Sequence, residues 1–392
     1  MERILSARNA VAISFFLNGF AFASWIARIP ESRHELSLTN GGLGLLLLTI
    51  SVGSVLSLPS SGVLVNRFGA AAVVRTGIGL DSLGLLLVSL GAGVFGNVVL
   101  TGLGLFVYGL GVGVWDVAMN VEGAAVERLM GRTVMPRFHA GFSLGTVTGA
   151  AIGAVTTAVN LPLEVHLVAV AVVVAVVGIV TTGRFLPVLD EATGDVDVSP
   201  RRSAWAAWLE PRTLLIGAMV FALALTEGTA NDWLGLALID GYDVERWIGV
   251  AGYTLFVVAM TVGRLVGTAA LDRFGRVPVL WATIVAACVG LLLIVFGATP
   301  LLVVPGIVLW GLGASLGFPV GISAASDDEA HAAARVSVVS TIAYTAFLAG
   351  PPLLGFLADE VGTLKALLAI AVLLVPAALL VPAARERTPV AN

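Results

Sequence analysis

Hydrophobic residues run through this chain in stretches of about 20 or more, the length that spans a bilayer core when wound as an α-helix. Twelve such stretches predict twelve spanning helices, over 10–29, 41–65, 72–93, 97–121, 138–159, 163–183, 213–238, 247–270, 277–297, 300–324, 335–358 and 363–382. Polar punctuation between them is short, with one exception: a connection of mixed charge over 185–211. It divides the chain into an N-terminal half, 1–184, and a C-terminal half, 212–392. Its end, with Trp205 and Trp208, fits either a segment along the headgroups or a plain linker.

The two halves share a phrase. Asn66-Arg67-Phe68-Gly69 follows the second predicted helix and Asp272-Arg273-Phe274-Gly275-Arg276 the eighth, a separation of 206 positions from residue 66 to residue 272. Each copy stands at the same place in a six-helix half, so the pattern predicts a duplicated bundle. Glycine permits a tight reversal at the end of a helix, and arginine there can pair with carboxylates on neighbouring helix ends. Glu127, closing the fourth helix, is the expected partner of Arg67 or Arg75.

Composition narrows the class further. Of 392 residues 58% are hydrophobic and 12% charged, a balance that a water-soluble domain could not cover with a polar surface. The net charge of −4 gives no reason to expect a nucleic-acid partner. Cys288 is the single cysteine and lies in an apolar stretch, which excludes an internal disulfide and a cysteine-based metal site. No metal or other cofactor is expected, and no enzyme activity.

Basic residues set the orientation, because Lys and Arg near helix ends are retained in the cytoplasm. With the N-terminus inside, sixteen arginines fall on inner segments and only Arg28, Arg33, Arg246 and Lys365 on outer ones, with Arg264 inside a helix. The prediction is a multi-pass protein of a cell membrane, of the bacterial inner-membrane kind, with both termini cytoplasmic. The first stretch lacks a small-residue cleavage site and is expected to remain as a helix.

Twelve spans, a long central loop and the twice-used turn resemble the major facilitator superfamily over the whole chain. The family's turn reads Gly-x-Leu-x-Asp-Arg-x-Gly-Arg. Here Gly62-Val63-Leu64-Val65-Asn66-Arg67-Phe68-Gly69 matches with Asn66 for Asp and Ala70 for the second Arg, whereas the second copy keeps Asp272 and Arg276. The resemblance implies an all-α fold of two pseudo-symmetric halves and a conformational latch built from Asn66, Arg67, Arg75, Glu127, Asp272, Arg273 and Arg276. Asp116-Val117-Ala118-Met119-Asn120, the run Glu227 to Trp233 and Gly317-Phe318-Pro319 are similar to stretches of the fucose-permease-like branch, which implies proton-coupled uptake of sugars. The acidic residue those permeases carry in the first helix is absent; this chain offers Ser14, Asn18 and Ser24.

Ionised groups at bilayer depth cost at least about 2.5–3.5 kcal/mol on insertion scales, so each marks a cavity or a partner. Asp116 and Glu227 are the candidate proton carriers. Asn120 lies one turn from Asp116 on the same face and can hydrogen-bond its carboxylate; a purely structural bond is the alternative. Glu122 points elsewhere and is expected to pair with an inner-surface arginine. Arg264 demands a carboxylate partner and serves either substrate anchoring or structure. Asp81 reads as structural and His139 as an interfacial hydrogen-bonding group. Asn18, Phe22, Trp25, Trp115, Asp232, Trp233, Phe318 and Tyr344 complete the candidate substrate-binding set, since aromatic rings stack on sugars and on apolar drugs alike. Gly141, Gly145, Gly149 and Gly153 form one face of the fifth helix, where a neighbour can approach backbone to backbone.

The reading is a monomeric secondary transporter that moves a small solute, with protons, by alternating access between two halves. No phosphate-cradling Gly-x-x-x-x-Gly-Lys sequence points to ATP. Proton-coupled export of amphipathic compounds is the alternative, set back by the absence of a Gly-Pro pair on the fifth helix, where Ala150 follows Gly149. A sensor that has lost transport lacks an appended soluble domain, and a channel lacks a pore loop or charged ring.

Overall fold

The computed structural model describes residues 2–131, 134–186, 206–327 and 331–386, those of 332 and 333 by backbone alone. Among them, twelve helices are long and apolar enough to cross a membrane: α1 (Glu2–Ile26), α2 (Asn40–Phe68), α3 (Ala70–Val94), α4 (Val98–Met130), α5 (Met135–Ala158), α6 (Leu163–Thr182), α7 (Pro211–Tyr242), α8 (Arg246–Phe274), α9 (Arg276–Phe296), α10 (Pro300–Ala325), α11 (Ala334–Val361) and α12 (Thr363–Ala384). No strand occurs among the described residues. Large apolar side chains such as Val99, Leu301 and Leu379 stand exposed along these helices; in water they would be a liability, in lipid they are solvated. The expected linker falls mostly, at 187–205 and including Trp205, outside the described residues.

The helices cluster into two units, one formed by Met1–Gly194 with Val244–Thr254 and the other by Asp195–Asp243 with Leu255–Asn392. In the first, the glycine face of α5 lies against α1. A Cβ on Gly145 would come within 2.0 Å of the Phe16 carbonyl oxygen, one on Gly149 within 2.5 Å of that of Phe20, and one on Gly153 within 2.2 Å of Ala27 Cβ. From the opposite side, Gly19 approaches the Phe142 carbonyl to 2.2 Å by the same measure. The spacing read from the sequence is thus a backbone-to-backbone seam whose partner is α1.

A second seam is built alike in both units. A Cβ on Gly84 of α3 would sit 2.5 Å from the Tyr108 nitrogen of α4, and one on Gly290 of α9 would sit 2.5 Å from the Trp310 nitrogen of α10. The repeated phrase folds alike as well. Gly69 and Gly275 both take positive φ, 79° and 76°, and their N–H groups close the preceding helices on Val65 at 2.8 Å and Leu271 at 2.9 Å. Arg67 rests over Phe68 and Arg273 over Phe274, 5.3 and 5.2 Å from the ring centres. Duplication in sequence is therefore duplication in local structure.

Two spans widen into π-helix, at Ser89–Val94 in α3 and Ala230–Leu234 in α7. Such turns misalign the backbone ladder and recur at functional sites. The one in α7 carries Asp232 and Trp233.

Candidate functional site: polar groups at membrane depth

In the second unit, α7 and α8 bring together two residues that the sequence placed 37 positions apart. Arg264 donates from one nitrogen to both oxygens of Glu227, at 2.9 and 3.1 Å. The local cause is small residues. Gly263 lets α8 pass close to α10, where a Cβ would meet Ser315 Oγ at 2.5 Å, and Arg264 Nε then reaches the Ser315 carbonyl oxygen at 3.4 Å. The carboxylate missing from the sequence reading of Arg264 is thus Glu227. The pair keeps side-chain exposures of 29% and 19%, so guanidinium donors and carboxylate lone pairs remain available to a solute. One turn beyond, Asp232 is half-buried and Trp233 buried; the Trp233 indole N–H has no acceptor among the described residues.

The first unit presents a smaller set. Asn120 Nδ2 donates to the Asp116 carbonyl at 2.9 Å and lies 3.4 Å from its Oδ1, the one-turn relationship expected from their spacing. Both are half-buried. Beside them Trp115 is fully buried and donates to Ser14 of α1 at 2.8 Å, so it ties two helices together. Asn18 and Trp25 are buried in α1, and Phe22 is half-buried. In the second unit Phe318 is half-buried and Tyr344 is 37% exposed, packed against Phe347 at 6.3 Å. Phe22, Phe318 and Tyr344 thus keep exposed surface, whereas Trp25, Trp115 and Trp233 are buried.

The charges at the helix ends that carry the repeated turn differ from expectation. Glu127 pairs with neither Arg67 nor Arg75; it accepts from the N–H groups of Val134 and Met135, both at 2.7 Å, and so caps the first turn of α5. Uncapped helix N–H groups there outcompete a distant guanidinium. Arg75 instead donates to Thr182 at 2.9 Å. Glu122 accepts from the Leu186 N–H at 2.6 Å rather than pairing with an arginine. Asn66, Arg67, Asp272 and Arg273 are exposed. His139 packs edge-on against Phe15 at 5.1 Å. Asp81 of α3 is fully buried, at a point where the α3 backbone passes close to Gly111 of α4.

Arg276 does find a carboxylate, but it is Asp327, at 2.7 Å, which also holds Arg212 at 2.8 Å. Arg212 reaches on to the carbonyls of Ala383 and Arg385 at 2.9 and 3.0 Å, and Arg335 pairs with Glu210 at 2.6 Å. Sequence reasoning missed this cluster. The available signal was an acidic residue just after α10, at the same end of the helices as three arginines. The Arg335 hydrogen bond holds the Glu210 carboxyl below its ordinary range.

A model of the Major Facilitator Superfamily matches residues 246–392. An uncharacterized MFS-type transporter of Yersinia pestis is 30% identical over 373 residues, covering 95% of this chain and 94% of its own length. The chain belongs to the major facilitator superfamily. It is therefore a transporter by family and not an enzyme. Among solved structures, this facilitator superposes on the nucleoside transporter NupG with a TM-score of 0.78 at 15% identity, over 96% of this chain and 98% of that one. A variant of the E. coli fucose:proton symporter FucP gives 0.65 at 16% identity, over 97% and 98%. At such identities the two likenesses establish the fold, two six-helix halves, as the repeated turn led us to expect.

Proposed function

We propose that this facilitator carries a small hydroxylated solute, of sugar or nucleoside size, into the cell together with protons. The observation that carries the reading is the Arg264–Glu227 pair. An ion pair at bilayer depth is costly unless well satisfied, and this one stays partly exposed while offering donors and acceptors side by side. That arrangement matches vicinal hydroxyls, which need both. The nucleoside transporter NupG and the fucose:proton symporter FucP share the fold, and this supports the size class.

Asp116 is the preferred proton carrier in this reading. Protonating Glu227 would leave Arg264 uncompensated, whereas Asp116 faces Asn120, which can hydrogen-bond either protonation state. Glu227 then belongs with Arg264, Asp232 and Phe318 to the solute-binding set. Both termini are assigned to the cytoplasm and the protein to the cell membrane on the distribution of arginines.

The test is a thermal-shift screen of purified protein against neutral sugars, nucleosides and amphipathic cations, since any compound that binds the native state raises its melting temperature. Stabilisation by a sugar or nucleoside, lost in Arg264→Gln, is expected. Stabilisation by amphipathic cations alone would transfer the reading to export.

A further inference from the structure

Just beyond the far end of α1 stands a buried arginine that transport, as proposed, does not use. Arg28 stands two residues after the last residue of α1 and is 1% exposed. Its Nε donates to Nδ1 of His166, at 2.9 Å, and its Nη1 bonds Glu31. His166 stands in the first turn of α6 and is itself buried. We propose that Arg28 and His166 form an acid-sensitive clasp that fastens the end of α1 to α6 and opens when the imidazole takes up a proton.

Geometry carries the argument. A guanidinium has only donors, so Nδ1 must present its lone pair and the ring must be the neutral tautomer with its proton on Nε2. A second proton can go only to Nδ1. There it would set N–H against N–H and cation against cation, and the bond would be lost. Glu31 compensates Arg28 in either state, and among the described residues no carboxylate is bonded to the imidazole.

The groups around the ring agree with this. On α6 itself Glu164 is turned toward Gly93 of α3, with its Oε2 2.6 Å from where a Cβ would stand. The last turns of α3, Ser89–Val94, hold no titratable residue, and Asp81 lies eight residues before them. Within α1 the last charged residue is Arg8, twenty positions before Arg28. On the short helix Ile29–Glu35, Arg33 donates to Asn40 at 2.7 Å and His34 faces Glu35 at 3.4 Å. Arg28 is thus the charged group in direct contact with His166.

The clasp also has something to hold. The same end of α1 is seated on α5 through Gly153 and Ala27, so release of Arg28 removes its polar attachment to α6 and leaves that apolar one. On the orientation proposed above, this end faces the outside.

Two measurements test the clasp in detergent, with no solute required. The first is 15N NMR of histidine-labelled protein, with His166→Gln to assign the resonance. At pH 7.5 we expect the neutral ring with Nδ1 unprotonated; an Nδ1–H tautomer or an imidazolium would overturn the proposal. The second is the melting temperature between pH 7.5 and 5.5. Wild type should lose about 2–4 °C more than His166→Gln, whose side-chain oxygen can accept from Arg28 but does not titrate in this range. Identical pH profiles for the two proteins would also overturn it.

Discussion

Arg264 of α8 holds both carboxylate oxygens of Glu227 of α7 from a single nitrogen, at 2.9 and 3.1 Å. Each residue thereby satisfies a charge that neither could carry alone at bilayer depth. Removing one side should cost more than removing both. We expect Arg264→Leu to lower the melting temperature, with a loss of stability short of the roughly 3–5 kcal/mol of a fully buried pair broken on one side, because both groups keep some exposure. The double variant Glu227→Gln, Arg264→Leu should recover part of that loss and still fail to bind solute. A double variant no more stable than Arg264→Leu alone would show that the pair is not coupled.

The α1–α5 seam predicts a steep dependence on side-chain size. Gly145→Leu and Gly149→Leu would drive a side chain into the Phe16 and Phe20 carbonyls, where backbone cannot yield without separating the helices. Both should reduce folded yield severely, measured by fluorescence-detected size exclusion. Leu144→Ala, at an exposed neighbouring position, should have little effect.

These two features show unequally in the sequence. The glycine seam was legible because a four-residue period marks one helical face whatever lies opposite. The repeated Arg-Phe-Gly turn was legible because identical local sequence imposed identical local geometry at Gly69 and Gly275. The partner of Arg264 was not, since 37 positions and a helix–helix crossing separate it from Glu227 and no periodic signal reports such a crossing. Glu127 was misassigned for a related reason. Its charge suggested an arginine, while the unsatisfied N–H groups of the next helix, invisible in the side-chain pattern, claimed it.

Glu210 and Arg335 give a pH-dependent prediction. The Arg335 hydrogen bond holds the Glu210 carboxyl below its ordinary range, so the stabilisation is complete above the ordinary glutamate range and disappears as pH falls through the lowered value. Arg335→Gln should therefore melt below wild type at pH 7, with the difference shrinking as the solution is acidified toward pH 3. A difference that stays constant with pH would mean that Arg335 acts through packing.

The orientation assigned from the arginines can be checked by cysteine labelling on a Cys288→Ser background. An impermeant thiol reagent added to intact cells should label His34→Cys, in the link between α1 and α2, and spare Leu209→Cys, just before α7; both positions are exposed. The reverse pattern would invert the topology.

In the function proposed above, proton-coupled carriage rests on Asp116, and the decisive measurement is solute accumulation in reconstituted vesicles with an imposed pH difference, using the solute found by thermal shift. Wild type should concentrate the solute when the pH difference is present and only equilibrate it when the difference is abolished. Asp116→Asn keeps the shape of the side chain and the contact with Asn120 but cannot release a proton. It should bind solute and exchange it across the membrane while failing to accumulate it. Accumulation by Asp116→Asn at the wild-type level, driven by the same pH difference, would contradict the account.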